Sequence, residues 1–494
     1  MKSQPTTIGA LRESGWQSLT VKEELRKNLL QALADGRDVF PGIIGYEKTV
    51  LPALQNAILS QHDFILLGLR GQAKTRILRQ LKNLLDPAAP IIKGSEIHDH
   101  PYAPISHQGV EMVRQQGDDT EIEWIGPDER YHEKLATPDV TIADLIGDID
   151  PIKAATQRLH YAHEGVIHYG LIPRTNRGIF AINELPDLPP RIQVGLLNIM
   201  QERDIQIRGF PIRIPLDMLM IYSANPEDYT NRGNIITPLR DRIGSQIHTH
   251  YPVTVDDAIA ITEQEARISR NGTRTLTIPR YYRELVEHIA FQARKSEFVD
   301  QQSGVSARLT IACLENLVSN AERRAVLHGE AEIFPRICDL DSLVPAIAGK
   351  IELVYEGEQE GPQTVARALI GRAVKAVFGT YFPEAIRDSR QPDAANPYQE
   401  IKRWFALDEV VEIADDVSTE DYYKALSKVP GLQNVARQYL KLDGNAPPAA
   451  VASAMEFVLE GLHQHSVLSK QGLDAAVSYR DMVDTIFDVL ERED

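Results

Sequence analysis

The spacing of hydrophobic positions changes along this 494-residue chain. Near the start, apolar residues at helical intervals predict a helix over 21–35, with Thr20 and Glu23 at the spacing of a capping box. Over 64–252, short apolar runs alternate with amphipathic stretches, which is typical of a parallel sheet covered by helices. Beyond about residue 256 the apolar spacing is again three and four residues, as in packed helices. The pattern therefore predicts an α/β core followed by helical regions.

Stretches rich in Pro, Gly and Asn interrupt the second half of the chain. SRQPDAANP at 389–397 is typical of a linker, and LDGNAPPA at 442–449 is a second break. We therefore predict four regions: an N-terminal helical segment (1–40), an α/β core (41–252), a helical lid (253–388) and a helical C-terminal region (398–494) that is the candidate surface for docking a partner.

The first apolar strand leads into a candidate phosphate-binding loop. Phe64–Leu67 is followed directly by Gly68-Leu-Arg-Gly71-Gln72-Ala73-Lys74-Thr75, and a helix begins near Arg76. This is the GxxxxGK[ST] spacing, with Ala73 in place of the last glycine. Backbone N–H groups in such a loop face phosphate oxygens, a lysine neutralises the β- and γ-phosphates, and a Thr hydroxyl can bind Mg²⁺. A glycine-rich turn without ligand is the alternative for this motif alone.

Two further apolar strands end in polar residues suited to the same chemistry. The strand starting at Gly178 ends in Asn183 and Glu184, and the strand from Met218 is followed by Ser223 and Asn225. A carboxylate such as Glu184 can position and deprotonate an attacking water, and an Asn at a strand end can sense the γ-phosphate. Asn183 stands where a metal-orienting carboxylate is usual. Capping and turn roles are the structural alternatives.

Two arginines follow in the segment Pro238–Ile243. Arg240 and Arg242 flank Asp241 before a predicted strand over 246–250. Arginine is suited to stabilising the charge that develops on a transferred phosphoryl group, often across a subunit boundary. A solvated Arg-Asp-Arg salt-bridge run is the alternative.

Composition narrows the choice of partner and compartment. The formal charge of −17 repels phosphate backbones, which argues against nucleic acid as the main partner. The two cysteines form no metal-site or disulfide pattern, and no apolar run is long enough for a signal peptide or a membrane span. We therefore expect a cytoplasmic protein.

Taken together, these segments resemble the MoxR and magnesium-chelatase branch of the AAA+ ATPases over about 42–328. Gly71–Thr75 is similar to the MoxR phosphate loop, and Arg191–Arg203 is similar to the helix that follows the acidic strand in MoxR proteins. Asp204–Leu216 resembles the hairpin inserted before sensor 1, and Ile146–Ile172 resembles the insert in helix 2.

The resemblance implies roles for individual residues. Gly45 and Tyr46 would contact adenine, Asn225 would be sensor 1, and Arg308 would be sensor 2. Arg242 would be the arginine finger, with Arg240 accessory to it. ATP and Mg²⁺ would be the cofactors, with Thr75 and Asn183 near the metal.

The resemblance also implies an ATP-hydrolysing motor that assembles into a ring, most often a hexamer, and remodels a partner protein, in some cases during metal insertion. A protein with a von Willebrand factor A domain is the implied partner. Asn183 favours an alternative, a nucleotide-dependent scaffold with little hydrolysis. A transcriptional activator of the AAA+ type is a third possibility, but Ala154–Gly170 lacks the loop motif that such proteins carry.

Overall fold

The computed structural model describes residues 4–157, 164–202, 204–206, 213–225, 233–270, 272–385, 396–473 and 476–482. The chain divides into two compact units, Met1–Tyr251 and Pro252–Asp494. Among the described residues, no helix combines the length and apolarity that crossing a bilayer requires.

Unit 1 contains the predicted α/β core together with the N-terminal helices. Its described α-helices are α1 (Ile8–Glu13), α2 (Val21–Ala34), α3 (Val50–Leu59), α4 (Lys74–Gln80), α5 (His107–Gln116), α6 (Ile142–Leu145), α7 (Pro151–Gln157), α8 (Leu171–Arg174), α9 (Pro190–Glu202) and α10 (Thr237–Arg242). Its described strands are β1 (Phe64–Leu67), β2 (Ala89–Ile92), β3 (Ile122–Ile125), β4 (Tyr131–Leu135), β5 (Gly147–Ile149), β6 (Ile167–Tyr169), β7 (Gly178–Asn183), β8 (Asp204–Gln206), β9 (Arg213–Pro215), β10 (Met218–Ala224) and β11 (Ser245–His248).

Five of these strands form the central sheet of unit 1. The order is β11-β1-β10-β7-β4, and every pairing is parallel. Alternate residues of β1 pack into different clusters: Phe64 and Leu66 contact the one containing α2 and α3, and Ile65 and Leu67 contact the other. Burial on both faces explains why the strands are continuous apolar runs. The predicted parallel sheet with helices on both faces is confirmed.

Local predictions around the sheet are also confirmed. Thr20 and Glu23 form the capping box of α2, with the Thr20 N–H 2.9 Å from Glu23 Oε2. The expected hairpin appears as the antiparallel pair β8 and β9, although 207–212 lie outside the described residues. The segment 146–172 contributes the antiparallel pair β5 and β6, consistent with an insertion into the core.

The described part of unit 2 contains helices and two small sheets. Its described α-helices are α11 (Val255–Glu265), α12 (Arg280–Ala293), α13 (Arg308–Leu327), α14 (Val344–Ala348), α15 (Tyr355–Glu360), α16 (Pro362–Tyr381), α17 (Gln399–Phe405), α18 (Thr419–Leu426), α19 (Leu432–Tyr439) and α20 (Pro448–Gln464). Its described strands are β12 (Thr275–Leu276), β13 (Glu332–Ile333), β14 (Val411–Ala414), β15 (Leu468–Leu473) and β16 (Ala476–Asp481). Strands β12 and β13 are parallel, and the antiparallel order β14-β16-β15 forms a second sheet.

The predicted lid and C-terminal region share one hydrophobic core, so the structure corrects their separation at 389–397. The core of unit 2 runs from Ile278 to Tyr479 as a single cluster. The ring of Tyr281 on α12 stacks on Phe457 of α20, with centroids 5.0 Å apart and planes 5° apart. The C-terminal region is also not purely helical, because it supplies β14, β15 and β16.

Two carboxylates of the C-terminal region are buried in the core of unit 2. Glu456 and Glu460 lie on α20, yet their side chains are almost completely buried. Glu456 Oε2 accepts hydrogen bonds from the Tyr422 hydroxyl and from Ile337 N, and burial raises the pKa of Glu456 to about 7. Glu460 Oε2 accepts from Lys470 Nζ at 2.7 Å. These acidic residues are therefore internal and are not part of a partner-docking face.

Two glycines of unit 2 provide a test of this shared core. A Cβ on Gly461 of α20 would lie 2.0 Å from the Phe378 ring of α16, whereas a Cβ on Gly379 would have no atom within 4 Å. Glycine-to-alanine changes in helices usually stabilise by about 0.5–1 kcal/mol, which we expect for Gly379→Ala. We expect Gly461→Ala to destabilise by about 1–3 kcal/mol through overpacking. Denaturant unfolding of the full chain measures both, and equal stabilisation would contradict the packing of α20 on α16.

Candidate functional site: a phosphate loop and its polar strand ends

The candidate phosphate loop lies between β1 and α4, at the carboxyl edge of the central sheet. Lys74 is the first residue of α4, and its side chain is buried. Its ammonium group donates to the carbonyls of Gly68 and Leu69, the latter at 3.0 Å. The predicted strand, loop and helix are thus present, with the helix beginning two residues earlier than Arg76.

Ala73 has a backbone conformation that is unfavourable for most residues other than glycine. Ala73 has φ 56° and ψ 13°, in the left-handed region that the replaced glycine would adopt without strain. Gly68 is required for a different reason: a Cβ there would lie 1.9 Å from Thr249 Oγ1 and 2.2 Å from Gln72 Oε1. The loop therefore keeps the shape expected of the motif despite the alanine.

Three residues predicted from separate segments meet at the loop. Lys74 Nζ lies 2.5 Å from Asn225 Oδ1, and Asn225 Nδ2 lies 3.0 Å from Glu184 Oε2. They converge because β1, β10 and β7 are consecutive parallel strands, so their carboxyl ends share one edge of the sheet. The Asn225 amide accepts from a cation and donates to a carboxylate, which fixes its orientation. A cation, an amide and a carboxylate thus form one hydrogen-bonded chain.

Ser223 links the two residues at the end of β7. Its hydroxyl donates to Asn183 Oδ1 at 3.1 Å and accepts from the Glu184 backbone N–H at 3.4 Å. Glu184 has φ 55°, a left-handed conformation at the point where the strand ends. The sequence suggested Ser223 only as part of the sensor strand, and its contact with Asn183 was not predicted.

The oxygen donors present fit Mg²⁺ only as a weakly held ion. Among the described residues, no group of three or more His, Cys, Asp or Glu side chains is placed to hold a metal. The Thr75 hydroxyl and the amide oxygen of Asn183 are hard but neutral ligands, and Mg²⁺ commonly keeps several waters and takes phosphate oxygens. Asn183 Oδ1 retains one lone pair beside its bond to Ser223. An ion here would therefore depend on a bound phosphate for most of its ligands.

The outer side of the loop is held by residues at the end of unit 1. The Thr249 hydroxyl donates to Gln72 Oε1 at 2.6 Å, and Gln72 is buried. The Tyr46 hydroxyl lies 2.6 Å from the carbonyl oxygen of His250 and 3.1 Å from that of Gln72. The Tyr251 hydroxyl donates to the Arg70 carbonyl at 2.9 Å. Sequence reasoning missed Thr249 and Tyr251, because no motif marks them.

Tyr46 is buried, and burial raises the pKa of its hydroxyl to about 12. Its ring meets the His250 ring edge-on, with centroids 4.9 Å apart. The neighbouring Gly45 has φ 81°, and its N–H donates to Glu47. The contact of Gly45 and Tyr46 with adenine stays a prediction.

The two candidate arginines of unit 1 lie on α10. The Arg242 guanidinium donates to Gln201 Oε1 on α9, at 2.6 Å from Nη2, and to the Pro238 carbonyl at 2.8 Å. Arg240 is exposed on α10. Arg308 is the first residue of α13 in unit 2 and is exposed there. The finger and sensor 2 roles of these residues stay predictions.

Comparisons with known proteins add little beyond the fold. No protein-family model matches the chain. The archaeal Lon protease of Thermococcus kodakarensis is 28% identical over 169 residues, which covers 31% of this chain and 25% of that protein. The chain therefore spans about a quarter of the length of that curated relative.

Three similar solved structures are each less than 20% identical in sequence to this chain. A candidate ATPase from Cytophaga hutchinsonii is 16% identical, covering 71% of this chain and 96% of its own, with a TM-score of 0.29. A complex of the BchI and BchD subunits of magnesium chelatase is 19% identical, covering 65% of this chain and 98% of its own, with a TM-score of 0.35. NtrX from Brucella abortus is 14% identical, covering 71% of this chain and 67% of its own, with a TM-score of 0.37. The resemblance to AAA+ proteins thus rests on the parallel sheet and candidate phosphate loop of this chain.

Proposed function

We propose that this chain binds ATP with Mg²⁺ and hydrolyses it, as a motor of the MoxR and magnesium-chelatase type. The observation that carries the proposal is the hydrogen-bonded chain Lys74–Asn225–Glu184 beside the phosphate loop. A phosphate-binding cation, a sensing amide and a candidate general base are the groups that phosphoryl transfer to water needs.

Each residue then has a defined role in the proposal. Backbone N–H groups of the loop and Lys74 would bind the β- and γ-phosphates. Asn225 would contact both the γ-phosphate and Glu184. Glu184 would orient the attacking water and take its proton. Thr75 and Asn183 would hold Mg²⁺, which when bound neutralises charge on the phosphates.

The arginines of α10 support a proposal about assembly. The side-chain amide oxygen of Gln201 and the backbone carbonyl of Pro238 hold the Arg242 guanidinium against α9, and from there it would serve the nucleotide site of a neighbouring subunit. We therefore propose a ring, most simply a hexamer, in which Arg242 and Arg240 complete the adjoining site. This ring would remodel a partner protein, and a protein with a von Willebrand factor A domain is the first candidate. Metal insertion is one process that such remodelling would serve.

A second candidate function is a nucleotide-dependent scaffold that hydrolyses ATP very slowly. Asn183 is the observation that favours it, because a neutral amide bonded to Ser223 offers Mg²⁺ less than a carboxylate would.

Phosphate release measured over a series of Mg²⁺ concentrations separates the two functions. For a motor, we expect turnover by the unmodified chain, and we expect Asn183→Asp to lower the Mg²⁺ needed for half-maximal turnover about tenfold. For a scaffold, calorimetry should show that ATP binds without turnover, and Asn183→Asp should create turnover. If Asn183→Asp is folded but loses turnover present in the unmodified chain, the neutral amide is required and this account of position 183 is wrong. If no nucleotide binds at all, both functions are wrong.

A further inference from the structure

The phosphate loop is contacted on its outer side by two tyrosine hydroxyls that come from distant parts of the chain. Tyr251 donates to the carbonyl of Arg70, and Tyr46 shares its hydrogen between the carbonyls of Gln72 and His250. Two alternate carbonyls of the loop, those of Arg70 and Gln72, are therefore directed towards tyrosines. Tyr46 lies 26 residues before Gln72 in the sequence, and Tyr251 lies 181 residues after Arg70.

The planar trans peptide determines what these two contacts do to the loop. A peptide C=O and the N–H of the next residue point in opposite directions. Holding the Arg70 carbonyl outward therefore directs the Gly71 N–H inward, and holding the Gln72 carbonyl outward does the same for the Ala73 N–H. The carbonyls of Gly68 and Leu69 have the opposite orientation, since both accept from the Lys74 ammonium.

We propose that Tyr46 and Tyr251 are positioning residues that aim the Gly71 and Ala73 N–H groups at the phosphates of a bound nucleotide. This inference rests on the proposed nucleotide binding. It gives Tyr46 a different task from contact with adenine, because its buried hydroxyl is used by two carbonyls. Pre-set N–H donors bind an anion without the cost of reorienting the loop.

Tyrosine-to-phenylalanine variants of the full chain test the proposal, because they remove the hydroxyls and keep the rings. Tyr222→Phe is the matched control: Tyr222 is buried in the same unit, and its hydroxyl lies 3.2 Å from Met200 Sδ rather than at the loop. ADP affinity is measured by calorimetry, and tripolyphosphate affinity is measured by its displacement of a fluorescent ADP analogue. Thermal melting shows that each variant is folded at the working temperature.

We expect Tyr46→Phe and Tyr251→Phe each to weaken ADP and tripolyphosphate by the same factor, about five- to tenfold, with Tyr222→Phe unchanged. If ADP affinity falls but tripolyphosphate affinity does not, Tyr46 contacts the nucleoside and the inference is overturned. Unchanged affinities in both variants, or no displacement by tripolyphosphate even from the unmodified chain, also overturn it. Failure of the unmodified chain to bind ADP would instead overturn the proposed function.

Discussion

Replacing Lys74 by alanine should weaken ATP and ADP binding by at least about a hundredfold, because several charge-assisted hydrogen bonds to phosphate are lost together. The Lys74 side chain is buried at the N-terminus of α4, and its ammonium group contacts Asn225 and two loop carbonyls. The effect should therefore exceed that of removing a solvated cation.

Calorimetric titration of ADP into the full chain measures this loss. Lys74→Met keeps the aliphatic volume without the charge, so agreement between the two variants excludes a packing effect. Lys82→Ala is the control, since Lys82 forms an exposed ion pair with Asp128 shortly after α4. ADP affinity within a few-fold of the unmodified chain in Lys74→Ala would show that Gly68–Thr75 is not a phosphate-binding loop.

Glu184→Gln should lower ATP turnover by about a hundredfold or more and leave nucleotide binding nearly intact. The amide has the same shape and can keep the contact with Asn225, but it cannot take a proton from water. Steady-state phosphate release and ADP calorimetry measure the two quantities separately.

Asp187→Asn is the matched control for Glu184→Gln, because Asp187 is an acid in the turn that follows the same strand. We expect Asp187→Asn to keep turnover. Hydrolysis by Glu184→Gln within a few-fold of the unmodified chain would mean that another group is the base.

Much of the site could be predicted because its signals are local. Phe64–Leu67 is an apolar run followed by a spaced loop and a helix, and Glu184 and Asn225 each follow an apolar strand directly. Parallel strands present their carboxyl ends at one edge, so the meeting of Lys74, Asn225 and Glu184 followed from the predicted sheet. Only the order of the strands had to come from the structure.

Contacts between distant segments could not be predicted from these patterns. The bond from Tyr251 to the Arg70 carbonyl joins a side chain to backbone, so the identity of residue 70 carries no signal for it. Similarly, Glu456 and Glu460 are charged residues on a helix, and charge normally indicates exposure. Their partners, Tyr422 and Lys470, come from other elements, so burial of the carboxylates depended on the tertiary structure.

The loop has two positions where glycine is usual, and they differ in what an evolving sequence can do with them. At residue 73 the constraint is a torsion angle, and an alanine there carries a strain of about 1–2 kcal/mol that the rest of the unit can absorb. At Gly68 the constraint is space, because any side chain would overlap Thr249 and Gln72. Position 73 can therefore change by a single substitution, whereas a side chain at position 68 requires the side chains of Thr249 and Gln72 to move.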